Sequence, residues 1–262
     1  MSLSRPLIRG ARLTAHILIA LPLAILFFHR PRHGSRIQRS LFQWWLRGVC
    51  RILRVRIVVR GTPADGSLLA ANHISWLDIP ALASVWYGTF LSKAEVAKWP
   101  VIGWLVRRSG TLLIRRGSVD SLHRATDAIR HRLERGDGIC IFPEGTTTNG
   151  RSVRRFRPRL FESAIRAGAP VQPVALRYLG PDGRRHPHAP FIGEDAFLPH
   201  LLRLLRGPAI TVEVTCLPPL RPDGHTAAGL AVQAHRRVTG VIGERGREGG
   251  HAAKPDRRRM AA

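Results

Sequence analysis

The stretch LLAANHISWLDIP, residues 68–80, sets His73 directly after a short apolar run, with Asn72 before it and four residues between it and Asp78. These types at this spacing suit general-base chemistry. A carboxylate holding one imidazole nitrogen as a hydrogen-bond donor leaves the other nitrogen's lone pair free to take a proton. The same residues also fit a plain helix start. Ser75 would be the N-cap and Asp78 the third helical residue, a near relative of the capping box. That second reading accounts for the aspartate but not for a histidine just outside the helix. From His-x4-Asp alone, both readings stay open.

Three further segments carry residues of the same kind. GTLLIRRG puts Gly110 before a strand and Arg115 and Arg116 directly after it. Guanidinium groups there could grip a phosphate, although in an arginine-rich chain they also read as a solvated strand end. GICIFPEGTTTNG runs a strand into Pro143, then Glu144, Gly145 and Thr146, a carboxylate in a glycine-containing loop of the kind that lines ligand sites. PVQPVAL gives another strand, shaped at its start by Pro173. The nucleophile elbow G-x-S-x-G is absent and no cysteine neighbours His73 in the sequence, so the chemistry requires no covalent intermediate. Cys50, Cys140 and Cys216 are isolated, odd in number and outside any C-x-x-C pair. They indicate neither a disulfide framework nor a zinc site, and no metal is expected.

These residues need a scaffold. Short β-rich runs at 55–59, 68–71, 89–91, 111–114, 138–142, 171–177 and 210–215 alternate with helical patterns. Leu122, Ala125, Ile129 and Leu133 mark one helix face, ended by Gly136; Leu160, Ala164 and Ala167 mark a second, ended by Gly168. The alternation predicts an α/β fold, a central sheet covered on both faces, with its active site at the carboxyl ends of strands.

The ends of the chain differ in kind. Leu13–Phe28, LTAHILIALPLAILFF, would make a helix roughly 24 Å long, short of the ~30 Å hydrocarbon core. HRPRHG follows where a signal peptide would carry small residues. Arginines on both sides suit a re-entrant or interfacial anchor that keeps the remainder on the cytoplasmic side. Next, Leu41, Trp44, Trp45 and Val49 recur at helical spacing with arginines between them, a pattern for a headgroup boundary or for packing on the domain. The reading divides the chain into an anchor segment (1–39), a catalytic domain (40–242) and a disordered basic tail (243–262). The formal charge of +25 favours anionic partners. The aromatics, however, concentrate before residue 105, beside membrane-like sequence, and no nucleic-acid motif is present; a nucleic-acid partner is not expected.

Taken together, the blocks resemble the glycerolipid acyltransferase family, the PlsC-like lysophospholipid acyltransferases. The family's Asn-His-x4-Asp matches Asn72 to Asp78, and its Gly-x-x-Phe-Ile-x-Arg is similar to Gly110–Arg116, with Leu113 in place of phenylalanine. Its Phe-Pro-Glu-Gly-Thr is matched throughout by Phe142–Thr146, and its proline-led strand is similar to Val171–Ala175. The resemblance implies a mixed central sheet flanked by helices. It implies transfer of an acyl group from a thioester of coenzyme A or acyl carrier protein to a lysolipid hydroxyl, with no other cofactor. His73 and Asp78 would be the catalytic pair. Asn72, Gly110, Arg115, Arg116, Glu144, Gly145 and Thr146 would form the acceptor site, with Arg116 on a phosphate. The partners implied are the lysolipid, the thioester donor and an anionic membrane surface, with the domain on the cytoplasmic side of a bacterial-type inner membrane. One departure bears on substrate: many relatives that acylate lysophosphatidic acid have arginine where this chain has Thr147. The arginines around the site favour lysophosphatidic acid as acceptor; lyso-ornithine lipid is the alternative.

Overall fold

The computed structural model describes residues 4–27, 36–98, 102–115 and 117–248. Helices α1 (Ser4–Phe27) and α2 (Arg36–Ile52) lead into strands β1 (Val55–Arg60) and β2 (Leu68–Ala71). Helix α3 (Asp78–Ala83), β3 (Thr89–Lys93), α4 (Ile102–Arg108) and β4 (Leu112–Ile114) follow. Then come α5 (Val119–Glu134), β5 (Ile139–Ile141), α6 (Glu162–Ala167), β6 (Val171–Leu179), α7 (Phe197–Arg206), β7 (Ile210–Cys216) and α8 (Ala227–Glu248). Every strand expected from the sequence is present, each bound within two residues of the expected one.

The strands form one sheet in the order β1-β7-β6-β2-β5-β3-β4. Only the β6–β7 pair is antiparallel. β2 lies near the middle and is buried along its whole length, which is why LLAA reads as an unbroken apolar run rather than an alternating one. Successive side chains of a strand point to opposite faces, and β2 divides accordingly. Leu69 and Ala71 join a core with Leu46 and Val49 of α2, Leu82 of α3 and Leu204 of α7. Leu68 and Ala70 join the opposite core with Ile129 and Leu133 of α5, Ala164 of α6 and Leu230, Ala234 and Val238 of α8. Each such leucine or isoleucine contributes about 1.5–3 kcal/mol on burial. Both faces are covered, as expected.

α5 is capped by Ser118, whose hydroxyl accepts from the Ser121 N–H at 3.1 Å, and Gly136 follows its end at φ +78°. Gly168 ends α6 at φ +61°, in the left-handed region that glycine adopts without strain. The sequence reading did not single out α4, α7 or α8. α8 also runs past Gly243, where that reading began the tail, to Glu248. Residues 249–262 lie outside the described residues.

At the N-terminus α1 packs on α2 and α7. His16 Nε2 lies 2.9 Å from the Trp45 carbonyl, the Trp45 indole donates to the His16 carbonyl at 3.0 Å, and the two rings stack. Arg9 donates to the Leu205 carbonyl at 2.8 Å. Of the two tryptophans, Trp45 thus serves packing, whereas Trp44 stands exposed. Among the described residues, no helix is long and apolar enough to cross a membrane.

Candidate active site

Parallel pairing brings the segments after β2 and β5 together at the carboxyl ends of central strands. β2 pairs with β5 in the register Leu68↔Ile139 and Ala70↔Ile141, and with β6 in the register Leu68↔Val171 and Ala71↔Val174. The residues after β2 therefore emerge beside those after β5, while β6 continues alongside them. Asn72, next after β2, turns its amide onto β6: its oxygen accepts from the Leu176 N–H at 2.7 Å and its nitrogen donates to the Leu176 carbonyl at 3.1 Å.

The following turn is held by one carboxylate. Asp78 is fully buried, and its Oδ2 accepts from His73 Nδ1 at 2.7 Å, the Ile74 N–H at 2.8 Å and the Ser75 N–H at 3.1 Å. Its Oδ1 accepts from the Tyr178 hydroxyl at 2.6 Å. A buried carboxylate is costly unless so partnered. Because this carboxylate only accepts, His73 Nδ1 carries the proton that points at it, and in the neutral ring Nε2 keeps the lone pair. Burial first, and the Asp78 charge second, push the Tyr178 phenol well above its ordinary range, so Tyr178 remains a donor. The helix-cap reading of this turn needs correcting: the Ser75 hydroxyl is buried without a hydrogen-bond partner, and α3 starts without a side-chain cap. The aspartate, not the serine, orders the turn.

The loop after β5 grips His73 through its backbone. Glu144 Oε1 accepts from the His73 N–H at 2.7 Å, and Oε2 accepts from the Arg154 N–H at 2.7 Å. Thr148 donates its N–H to the His73 carbonyl at 2.8 Å. Burial raises the Glu144 carboxyl above its ordinary pKa, with the two backbone donors opposing. Phe142 stacks on the His73 ring, centroids 4.1 Å apart and planes at 17°. The imidazole keeps 16% of its surface open. Gly145 sits at φ +72°, in the left-handed region that glycine adopts without strain, beside the Arg157 guanidinium.

Most of the residues expected at the site come together. His73, Asp78, Asn72, Glu144, Gly145 and Thr146 share the carboxyl ends of β2 and β5, but Asn72 and Glu144 direct their polar atoms to backbone partners rather than outward. Arg115 follows β4, three strands from β2 and so about 14 Å away across the sheet; its N–H donates to Ser121 Oγ at 2.9 Å. Gly110, at φ +73°, precedes β4, and its carbonyl accepts from Arg132 at 3.1 Å. Arg116 lies outside the described residues. Tyr178 was missed. Cys140, on β5 near Asp78, offers no thiolate, because burial, followed by that charge, pushes its thiol well up.

Comparison with known proteins agrees with this construction. Residues 41–177 match the acyltransferase family model. The chain is 44% identical over 243 residues to a lyso-ornithine lipid O-acyltransferase of Pseudomonas aeruginosa, covering 91% of this chain and 93% of that one. It is 41% identical over 143 residues to a 1-acyl-sn-glycerol-3-phosphate acyltransferase of Neisseria meningitidis, covering 53% of this chain and 56% of that one. Its fold is that of the crystal structure of the 1-acyl-sn-glycerophosphate acyltransferase PlsC from Thermotoga maritima, with a TM-score of 0.62 at 21% identity over 92% of this chain and 98% of that one. With the blocks in order on this sheet, the chain belongs to the PlsC-like acyltransferase family of lysophospholipid type.

Proposed function

We propose that this protein moves a fatty acyl group from a thioester donor to the free hydroxyl of lyso-ornithine lipid. The observation that carries the acceptor is the 44% identity along nearly the whole chain to an enzyme named for that lipid, whereas the similarity to the Neisseria acylglycerolphosphate enzyme spans about half. This reverses the preference for lysophosphatidic acid drawn from the arginines. Thr147 supports the reversal: it can donate a hydrogen bond but brings no guanidinium to a phosphate.

The chemistry follows from the turn. His73 Nε2 takes the acceptor hydroxyl's proton as its oxygen attacks the thioester carbonyl carbon. Asp78 balances the imidazolium that forms. As the tetrahedral adduct collapses, the carbon–sulfur bond breaks and the imidazolium returns the proton to the departing thiolate. The products are an ester and a free thiol, and His73 is restored. General-base help of this kind is typically worth about 10²–10⁴-fold. Asn72, Glu144, Gly145 and Thr148 position the turn.

The outer helices supply the lipid surface in this reading. Leu7, Ile8, Leu18 and Ile19 of α1 are exposed, and positions eleven apart share one helix face. Ile37 and Trp44 of α2 and Leu198 and Leu202 of α7 are exposed as well. Such residues beside arginines suit an interfacial seat on anionic lipid. The substrate reading is tested with purified protein in detergent, offered lyso-ornithine lipid and lysophosphatidic acid in parallel with an acyl thioester. Faster ester formation on lyso-ornithine lipid is expected; acylation of lysophosphatidic acid alone would refute it.

A further inference from the structure

A further histidine, buried on α7, bonds to the catalytic turn. His200 sits on α7 and is fully buried. Its Nδ1 accepts the Trp76 indole N–H at 3.0 Å, and its Nε2 lies 3.0 Å from the Pro190 carbonyl. An indole N–H can only donate and a carbonyl can only accept, so the ring is the neutral tautomer protonated at Nε2. Burial lowers the His200 pKa and keeps that form. Trp76 belongs to the turn between His73 and Asp78, and its ring meets Phe197 edge to face at 5.1 Å. Two residues before Trp76, the Ile74 carbonyl accepts the Phe191 N–H at 3.0 Å. Phe191 in turn packs on the His200 ring at 5.1 Å.

We propose that His200 is a positioning residue for acyl transfer: through Trp76 it fixes the 73–78 turn in the geometry that aims His73 at the acceptor hydroxyl. Residues 72–77 belong to neither helix nor strand, so their shape depends on tethers from outside. Glu144 and Thr148 provide them from the β5 side, and His200 and Phe191 from the α7 side. Filling the core would not call for a histidine, since an apolar ring there would avoid the cost of burying two polar nitrogens. A misplacement of about 1 Å at a reacting group can cost on the order of 10²-fold in rate, so a tether of this kind acts on turnover rather than on binding.

The proposal rests on His73 serving as the base, and the variants separate the two ideas. His200→Gln keeps a donor for Pro190 but leaves the Trp76 N–H without an acceptor, whereas His200→Asn keeps an acceptor for Trp76. With full-length protein, a thioester donor and the preferred lysolipid, His200→Gln should lower kcat about tenfold or more with both KM values nearly unchanged. His200→Asn should recover most of that loss. Trp76→Phe should lower kcat alike, and adding His200→Gln to it should cost little more, because the shared bond is already gone. If His200→Gln fails to fold, Trp76→Phe carries the test alone through its kcat against its KM values and melting temperature. Wild-type kcat in His200→Gln or Trp76→Phe, equal losses in the Gln and Asn variants that track melting temperature, or additive losses in the double variant would each overturn the proposal. His73→Ala is measured alongside: turnover retained there would refute the base reading instead.

Discussion

Asp78→Asn removes a charge while keeping nearly the same shape. Its amide oxygen can take the place of Oδ2 and still accept from the Ile74 and Ser75 N–H groups, at 2.8 and 3.1 Å in the parent. Its amide nitrogen then faces Tyr178, whose hydroxyl can turn to accept. The turn is therefore retained, and the loss falls on the imidazolium. With the His73 nitrogen 2.7 Å from the carboxylate, the charge centres lie about 4 Å apart, worth about 4 kcal/mol at an effective dielectric of ~20. At about 1.4 kcal/mol per tenfold, that is on the order of 10³-fold in kcat. Thiol release from the acyl donor measures the rate, and a thermal melt checks the fold. A variant that folds and turns over within about threefold of wild type would show that Asp78 only organises the helix start and that the dyad reasoning is wrong.

Tyr178→Phe removes a donor from a buried carboxylate and should cost about 1–3 kcal/mol in thermal or urea unfolding, with a smaller loss of turnover than Asp78→Asn; unchanged stability would remove Tyr178 from the site. Glu144→Gln sets an amide N–H against either the His73 or the Arg154 N–H, and should likewise cost about 1–3 kcal/mol; a neutral result by denaturant titration would mean that the loop does not clamp His73. Thr147→Arg should raise activity on lysophosphatidic acid relative to lyso-ornithine lipid, measured side by side as kcat/KM; a shift the other way would remove Thr147 as a determinant of the acceptor. Leu18→Gln with Ile19→Gln should weaken binding to anionic vesicles at least tenfold, from the apolar area lost, and leave the remainder sensitive to salt; unaltered binding would remove this face of α1 from the lipid seat.

What could be read in the sequence was whatever one segment determines locally. LLAA and ICI are buried on both faces and read as strands for that reason, and Gly168 marks a helix end through its backbone alone. His73 and Asp78, five positions apart, could be paired from the sequence because a single turn joins them. Tyr178 could not, since it lies one hundred residues from Asp78 and reaches it only through the β2–β6 pairing. Ser-x-x-Asp left the cap reading open because the pattern does not say which side chain holds the turn; Asp78 does accept the Ser75 N–H, but the Ser75 hydroxyl makes no return bond. Asn72 and Glu144 look like substrate ligands as residue types, and only the fold shows their polar atoms taken by backbone groups. The arginine content, a property of the whole chain, is a weak guide to the acceptor, and the proposed preference for lyso-ornithine lipid rests instead on the near full-length similarity to an enzyme named for that lipid.

The central claim is that His73 acts as the base in acylating lyso-ornithine lipid. Its most direct measurement is the initial rate of ester formation on that lipid by wild-type and His73→Ala proteins of matched melting temperature, with lysophosphatidic acid as the second acceptor. The account predicts a wild-type preference for lyso-ornithine lipid and a fall of at least about 10²-fold in His73→Ala. A His73→Ala protein that keeps its rate, or a wild-type enzyme that leaves lyso-ornithine lipid untouched, would contradict it.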